Sequence, residues 1–436
     1  MTSFWGKLEK FFLADRKYSV LPRTEMKRSR KDTRPACWKA RLSTGGEDVI
    51  FAIFLFFLPS NLAWHWQTPS ALVLGIYRDY LIPALFSTDL LIISLLFLSF
   101  FSKTKILLPK KTIFFVFLLL FFSFIGQNKI ASFYKAVKIF ECFWLFYWLK
   151  SKKANQQIIV KTLFWAACLQ AGLAIFQWFK QTSVLSYLPF GEQPFNFFTP
   201  NIKKIILPNG SIRITPLGTF PHSNVLAGFL LLVLTINLNS LKKLWQIPLY
   251  ILIVGALILT FSLPALFLLF LLFLYSLFKN KPKLLFGLCL LGISGLIWLF
   301  YQTALSSLQH RLPLIKSSWL IIKDNFLIGV GLNNFLVKLP EYISGSQVYF
   351  FQPVHNLFLL LFAETGVVGM LIFLFWGVNH FQILKRLEKN RFPSLLLLGW
   401  FLLAQLDHYF YTLQQGLLIT TIVFYLISST DRKRYN

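Results

Sequence analysis

Long apolar runs alternate with short polar gaps along the whole chain, and the runs have the length that suits helices crossing a bilayer. An apolar stretch of about 17–25 residues reads as a spanning helix, because only a helix satisfies its own backbone hydrogen bonds in hydrocarbon. The pattern predicts about twelve such helices, at 49–64, 82–101, 112–126, 134–149, 157–179, 219–239, 245–261, 264–278, 284–301, 355–379, 392–410 and 415–430. The seventh and eighth form a tight apolar hairpin. Two gaps are far longer than the rest, 180–217 and 302–353. Loops above roughly 15 residues are usually functional or disordered. These two hold Phe, Ile, Pro, Gly and a Trp, so they are expected to fold over the outer mouth of the bundle.

Composition agrees. The chain has 436 residues, of which 56% are hydrophobic and 14% charged, with 50 Phe. A soluble protein carries roughly a quarter charged residues, so a single aqueous core is excluded. The expected fold class is an all-α, polytopic membrane helix bundle. Its transmembrane domain covers 49–430, between a basic N-terminal tail (1–48) and a short C-terminal tail (431–436). In the first tail Phe4, Trp5, Leu8, Phe11 and Phe12 recur at helical spacing, as in a helix lying on the inner leaflet. No cleavable signal peptide is expected, since no apolar core precedes the first span.

The net charge of +28 would suggest nucleic acid in a soluble chain. Here Lys and Arg gather in alternate gaps, at 103–111, 150–153, 242–243, 279–283, 385–391 and 432–434. That is the positive-inside pattern. It puts both termini in the cytoplasm of a multi-pass inner-membrane protein and argues against nucleic acid as a partner. Cys37, Cys142, Cys168 and Cys289 show neither disulfide nor zinc spacing.

The outer face is poor in carboxylates. Asp79, Glu192, Asp324, Glu341 and Asp407 are scattered there, and the chain has no HExxH, DxD or Walker loop. No metal or cofactor is expected. Arg, Lys and His on the same face suit an anionic ligand. One cluster is "SIRITPLGTFPHSNVLAGF" (211–229), in which Arg213 precedes a turn and His222, Ser223 and Asn224 open the sixth span. Its plainer reading is a capped helix with a snorkelling arginine. The other runs over 308–369. Arg311 opens a helix-like segment, Gly329 and Gly331 permit a turn into Asn333, Asn334 and Phe335, and His355 and Asn356 start the tenth span. Glu364 falls about 13 Å further along that helix, too deep to share an atom with His355, and reads as a packing hydrogen bond. Asp407 and His408, near the outer end of the eleventh span, are possible neighbours of His355.

Together "GVGLNNF", the preceding Arg311, "HNLFLLLFAETGVVG" and "RITPLGTFPHSNVLAGF" resemble the O-antigen ligase and O-antigen polymerase family over about residues 205–380. The resemblance implies glycosyl transfer at the outer face of the bacterial cytoplasmic membrane. The donor would be a glycan on an undecaprenyl diphosphate carrier, and the acceptor a hydroxyl of a glycan, lipid or protein. Arg213 and Arg311 match the motif arginines and His355 the motif histidine. The candidate site is therefore His355, Arg311 and Arg213 as catalytic groups. Both arginines, with His222, Asn224 and Asn356, would bind substrate. Arginine forks suit phosphate, and histidine can orient a hydroxyl or take its proton.

One position departs from the family, which often has Ser-Arg-Gly after the seventh span. Here "LTFSLPALF" places Leu263 and Pro264 there. If that arginine binds phosphate, another cation must replace it, and Lys203, Lys204, Lys316 and Lys323 are candidates. Two other classes compete. A lipid-linked oligosaccharide transporter would use Asp89, Lys138 and Glu141 within the spans, although the two halves of the chain show no repeat. A non-catalytic scaffold would need none of the arginine and histidine settings.

Overall fold

The computed structural model describes residues 34–102, 106, 108–207, 209–237, 244–278, 301–343, 351–381 and 391–429. The expected surface helix at residues 4–12, the ninth span at 284–301 and the C-terminal tail lie outside these residues. The described chain is mostly helical. In order it forms α1 (Arg34–Phe57), α2 (Ser87–Phe101), α3 (Lys110–Ile125), α4 (Lys129–Lys152), α5 (Gln156–Lys180), α6 (Ser223–Asn237), α7 (Ile247–Leu259), α8 (Leu263–Phe278), α9 (Tyr301–Asp324), α10 (Leu357–Phe381), α11 (Arg391–Leu406) and α12 (Gln414–Ser429). Apolar runs set the helices, and side-chain caps set some of the ends. The Asn128 carboxamide oxygen accepts from the Ala131 N–H at 3.0 Å, and Asn155 caps α5 through the Gln157 N–H at 2.9 Å. Such caps satisfy amides that have no partner within the helix. Among the described residues, α5 and the 357–375 part of α10 are long and apolar enough to cross a membrane. The other apolar helices are shorter.

Several places differ from the sequence reading. The first helix begins at Arg34 and ends at Phe57, earlier than 49–64. The chain after it folds into small antiparallel pairs rather than a plain loop: β1 (Ala63–His65) with β4 (Ala84–Phe86), and β2 (Leu72–Val73) with β3 (Ile76–Tyr77). The segment 302–353, expected as an outer loop, contains the 24-residue helix α9. A third strand pair, β5 (Lys204–Ile206) with β6 (Ile212–Ile214), lies in the 180–217 segment.

α6 is the centre of the bundle. Every residue from Val225 to Asn237 is buried, as expected of a helix apolar on all sides, and it packs on α5, α7, α8 and α11. The peripheral helices are the reverse: Ile93, Phe97 and Phe100 of α2 and Ile113, Phe114, Phe117 and Phe124 of α3 are exposed. Several polar groups inside the bundle are matched. Lys138 of α4 pairs with Asp89 of α2, which also accepts from the Gln414 amide at 2.6 Å. The Trp148 indole donates to Ser99 at 2.6 Å. Matching of this kind offsets the cost of taking polar groups out of water.

α10 is broken. Gly366 has φ 63° and ψ −170°, a backbone region open essentially to glycine alone. The break frees carbonyls and amides, and the segment after α9 satisfies them. Val330 N–H donates to Ala363 O at 3.0 Å and Gly331 N–H to Glu364 O at 2.8 Å, while Val367 N–H donates to Phe326 O at 2.8 Å. The two glycine-bearing motifs of the sequence are thus the two sides of one backbone-to-backbone seam. Glu364 adds its side chain to the seam, accepting from the Asn333 N–H at 2.8 Å and from the Tyr411 hydroxyl at 2.6 Å. A Cβ on Gly366 would lie 2.3 Å from Leu327 O. Gly366→Ala is therefore expected to destabilise the protein by at least about 1–3 kcal/mol. The check is a clear drop in melting temperature of the purified protein in detergent.

Candidate functional site

Alternating helix direction brings several helix ends to one side of the bundle: the start of α6, the start of α10, the end of α11 and the corner leading into α12. The candidate residues sit at these ends. His222 caps α6. Its Nδ1 accepts the Asn224 N–H at 3.1 Å, and its carbonyl accepts from Val225 at 3.0 Å. Asn224, in the first turn, bridges two charges. Its carboxamide oxygen accepts from Lys203 Nζ at 3.3 Å, and its amide donates to Asp407 Oδ2 at 3.3 Å. Asn356 caps α10 by accepting from the Phe358 and Leu359 amides, each at 3.0 Å. Its Nδ2 donates to Gln405 Oε1 at 2.8 Å, so the residue beside His355 is tied to the end of α11.

The centre of the group is Asp407. His355 Nδ1 stands 3.4 Å from Asp407 Oδ1, with the two side chains only 16% and 12% exposed. At that separation the pair is an electrostatic contact at the long edge of hydrogen bonding. His408 follows on the other side, its Nε2 3.9 Å from the same oxygen and its Nδ1 2.8 Å from the Thr412 hydroxyl. The rings of His355 and His408 lie 5.1 Å apart, and Tyr80 meets His408 edge-on at 5.5 Å. Arg311, half-buried on α9, donates to the Leu406 carbonyl at 2.8 Å. A cation at the last carbonyls of a helix meets the negative end of its dipole.

Burial alone pushes the Asp407 carboxyl up. The interactions with His355, His408 and Arg311 outweigh it and hold the carboxyl well below the usual carboxylate range. His222 is pushed down to about 4, by burial first and then by the Lys203 charge. Burial likewise takes His408 down to about 3 against the pull of Asp407. At neutral pH both rings are therefore neutral and Asp407 is ionised. Among the described residues, one group has ligand atoms close enough for a metal ion: His355, Asp407 and His408, within 4.8 Å of one another.

Sequence reasoning placed His355, Arg311, His222, Asn224 and Asn356 here, and the structure brings all of these to Asp407 or its immediate neighbours. Arg213 is different. Its described contacts are with Trp178, whose carbonyl lies 3.5 Å from the guanidinium and whose ring centroid is 5.9 Å away. Trp178 in turn stacks on Phe261 at 5.8 Å, in the turn between α7 and α8. Sequence reasoning missed Tyr80 and Gln405. Neither stands in a motif, and no spacing signal ties them to His355.

Residues 223–374 match a family model described as O-antigen ligase. The chain carries an O-antigen ligase family domain. This family is bacterial and membrane-integral, and its members act on a lipid-linked glycan and an acceptor. Asn224, Arg311, His355, Asn356 and the broken α10 fall inside the matched stretch. Arg213, His222, Asp407 and His408 fall outside it. No curated protein matches the chain.

Proposed function

We propose that this O-antigen ligase family protein moves a glycan from undecaprenyl diphosphate to a hydroxyl acceptor at the outer face of the inner membrane. The observation that carries the proposal is the contact of His355 with ionised Asp407 beside Arg311, within and next to the ligase-family domain. With Nδ1 turned to Asp407, the imidazole has Nε2 left to take a proton. In the proposed step the acceptor oxygen attacks the anomeric carbon while His355 takes the hydroxyl proton. The bond from that carbon to the diphosphate oxygen breaks, and the prenyl diphosphate leaves with its charge facing Arg311. Arg213, held over Trp178, serves the carrier side of the same diphosphate. Single displacement inverts the anomeric centre. Fixed cations stabilise a leaving group that is already competent, so the step calls on no metal. His222 and Asn356 act as helix caps that hold the walls of the site, and Asn224 links the cation side to Asp407.

The membrane reading belongs to the same proposal: about twelve spans, both termini cytoplasmic, the His355 side outward. It is supported by the exposed Phe and Ile faces of α2 and α3, since contiguous apolar surface of that extent on a soluble protein would drive association. A transporter reading draws on the break in α10 and the buried Lys138–Asp89 pair, features that transporters also use.

One assay separates them. Purified protein in liposomes receives a glycan on undecaprenyl diphosphate and a panel of acceptors, with and without EDTA. The expected result is acceptor-dependent release of undecaprenyl diphosphate, insensitive to EDTA and reduced by at least about tenfold in Arg311→Ala. Passage of the intact lipid-linked glycan across the bilayer with no release would replace the transferase reading by the transporter one.

A further inference from the structure

Lys203 precedes β5 and reaches across to the turn between α7 and α8. Its ammonium donates to Phe261 O at 2.8 Å, to Thr260 O at 3.1 Å and to Asn224 Oδ1 at 3.3 Å. All three acceptors are uncharged. Among the described residues it forms no ion pair, yet it is half-buried and shares its surroundings with a second cation. Burial and the Arg311 charge push Lys203 down to about 8, and only Asp407 opposes them. Two cations held together with a single carboxylate already engaged by His355 leave positive charge uncompensated. A site with this surplus of positive charge attracts an anion. The turn that Lys203 grips is the one that carries Leu263 and Pro264, and its Phe261 ring stacks under Trp178, on which Arg213 rests.

The geometry points to Lys203 as a diphosphate-binding residue that faces Arg311 across the mouth of the site, so that the two cations clamp the phosphates of a prenyl diphosphate. This rests on the transferase reading above and gives its donor site a residue that lies outside the matched domain. Two of the ammonium's contacts hold it at the carbonyls that follow the end of α7, which fixes its position. The third and longest, to Asn224 at 3.3 Å, couples it to Asp407 and is the one a phosphate oxygen displaces, since an ammonium has three N–H donors. Of the other free cations in these segments, Lys204 lies over the Phe197 ring at 4.7 Å, and Lys316 and Lys323 are exposed on α9.

A lysine that merely caps α7 would look similar at rest, so the test must read phosphate and not fold. Full-length protein in nanodiscs is titrated with farnesyl diphosphate and with farnesol, for wild type, Lys203→Met and Lys203→Arg. Lys203→Met is expected to weaken farnesyl diphosphate by about tenfold or more, the scale of one lost charge-assisted hydrogen bond, and to leave farnesol unchanged. Lys203→Arg keeps diphosphate affinity. The pH arm supports the same assignment if Lys203→Met fails to fold. Wild-type affinity falls as pH rises past about 8, where free Lys203 loses its proton. In Lys203→Arg that fall is absent, because arginine stays charged. The charged or titratable groups facing Lys203 are Arg311, Asp407 and His222. With Arg311 still a cation, Asp407 ionised and His222 neutral, none of the three changes charge near pH 8. Equal affinity in wild type and Lys203→Met, an equal loss for farnesol, or the same alkaline fall in Lys203→Arg would overturn the assignment while leaving the transferase reading intact. Failure of wild type to bind farnesyl diphosphate at any pH would overturn both.

Discussion

His355→Ala is expected to slow glycan transfer by about 10²–10⁴-fold, the range that general acid–base catalysis supplies, while binding of a prenyl diphosphate stays near the wild-type level. The two halves of this result come from different parts of the site. The cations proposed to meet phosphate are Arg311 of α9, held at the end of α11, Arg213, over Trp178, and Lys203, at the turn after α7. None of their described contacts passes through the His355 ring. His355 instead faces Asp407 at 3.4 Å, on a backbone fixed by the Asn356 cap and the Gln405 contact. Truncating the ring removes the proposed proton acceptor without disturbing the cap that follows it. The measurement is a single-turnover rate with donor and acceptor, paired with farnesyl diphosphate affinity. Transfer within threefold of wild type would remove His355 from the chemistry. Parallel loss of rate and affinity would make it a binding group.

The sequence reveals the bundle well and the site unevenly, for physical reasons. Helices such as α5, α7, α8 and α12 fall close to their expected bounds because an apolar run bordered by charged gaps has few other ways to satisfy its backbone. The strand pairs between residues 63 and 86 are invisible to the same logic. They are two or three residues long, too short for any period to register. The site depends on what meets across helix ends, which sequence order does not state. Arg311 and His355 are legible through the motifs around them. Asp407 is legible only as a possible neighbour, yet it is the group on which His355, His408 and Asn224 converge. Lys203 is one of four candidate cations until the turn after α7 shows which one it reaches. The break at Gly366 is hidden in an apolar run that reads as one continuous span, and only the partner segment 326–331 explains how the chain tolerates it.

Asp407→Asn is expected to cut turnover on the order of 10²-fold or more, and at the same time to leave prenyl diphosphate binding unchanged or tighter. An isosteric amide keeps the volume and can still accept from the Asn224 amide, but it carries no charge. Two consequences follow from that one loss. The imidazole of His355 no longer faces an anion, so the proton it takes from the acceptor is held less firmly and the ring is less firmly oriented. Meanwhile Arg311 and Lys203 lose the one carboxylate among the described residues that acts on them, which makes the site more positive and more favourable to an anionic ligand. The pH behaviour follows from the sign of the carboxyl shift. The carboxyl of folded Asp407 lies below the ordinary aspartate value of about 3.9, so its stabilising contribution is complete above that value and is lost as pH falls toward the folded one. In the working range the residue never titrates. Between pH 6 and pH 8 the carboxylate itself therefore stays ionised, so any change in the Asp407→Asn defect across that range comes from another group. Rate and farnesyl diphosphate affinity measured together across that range decide the matter: turnover and binding moving in the same direction would mean that Asp407 holds the donor rather than the histidine.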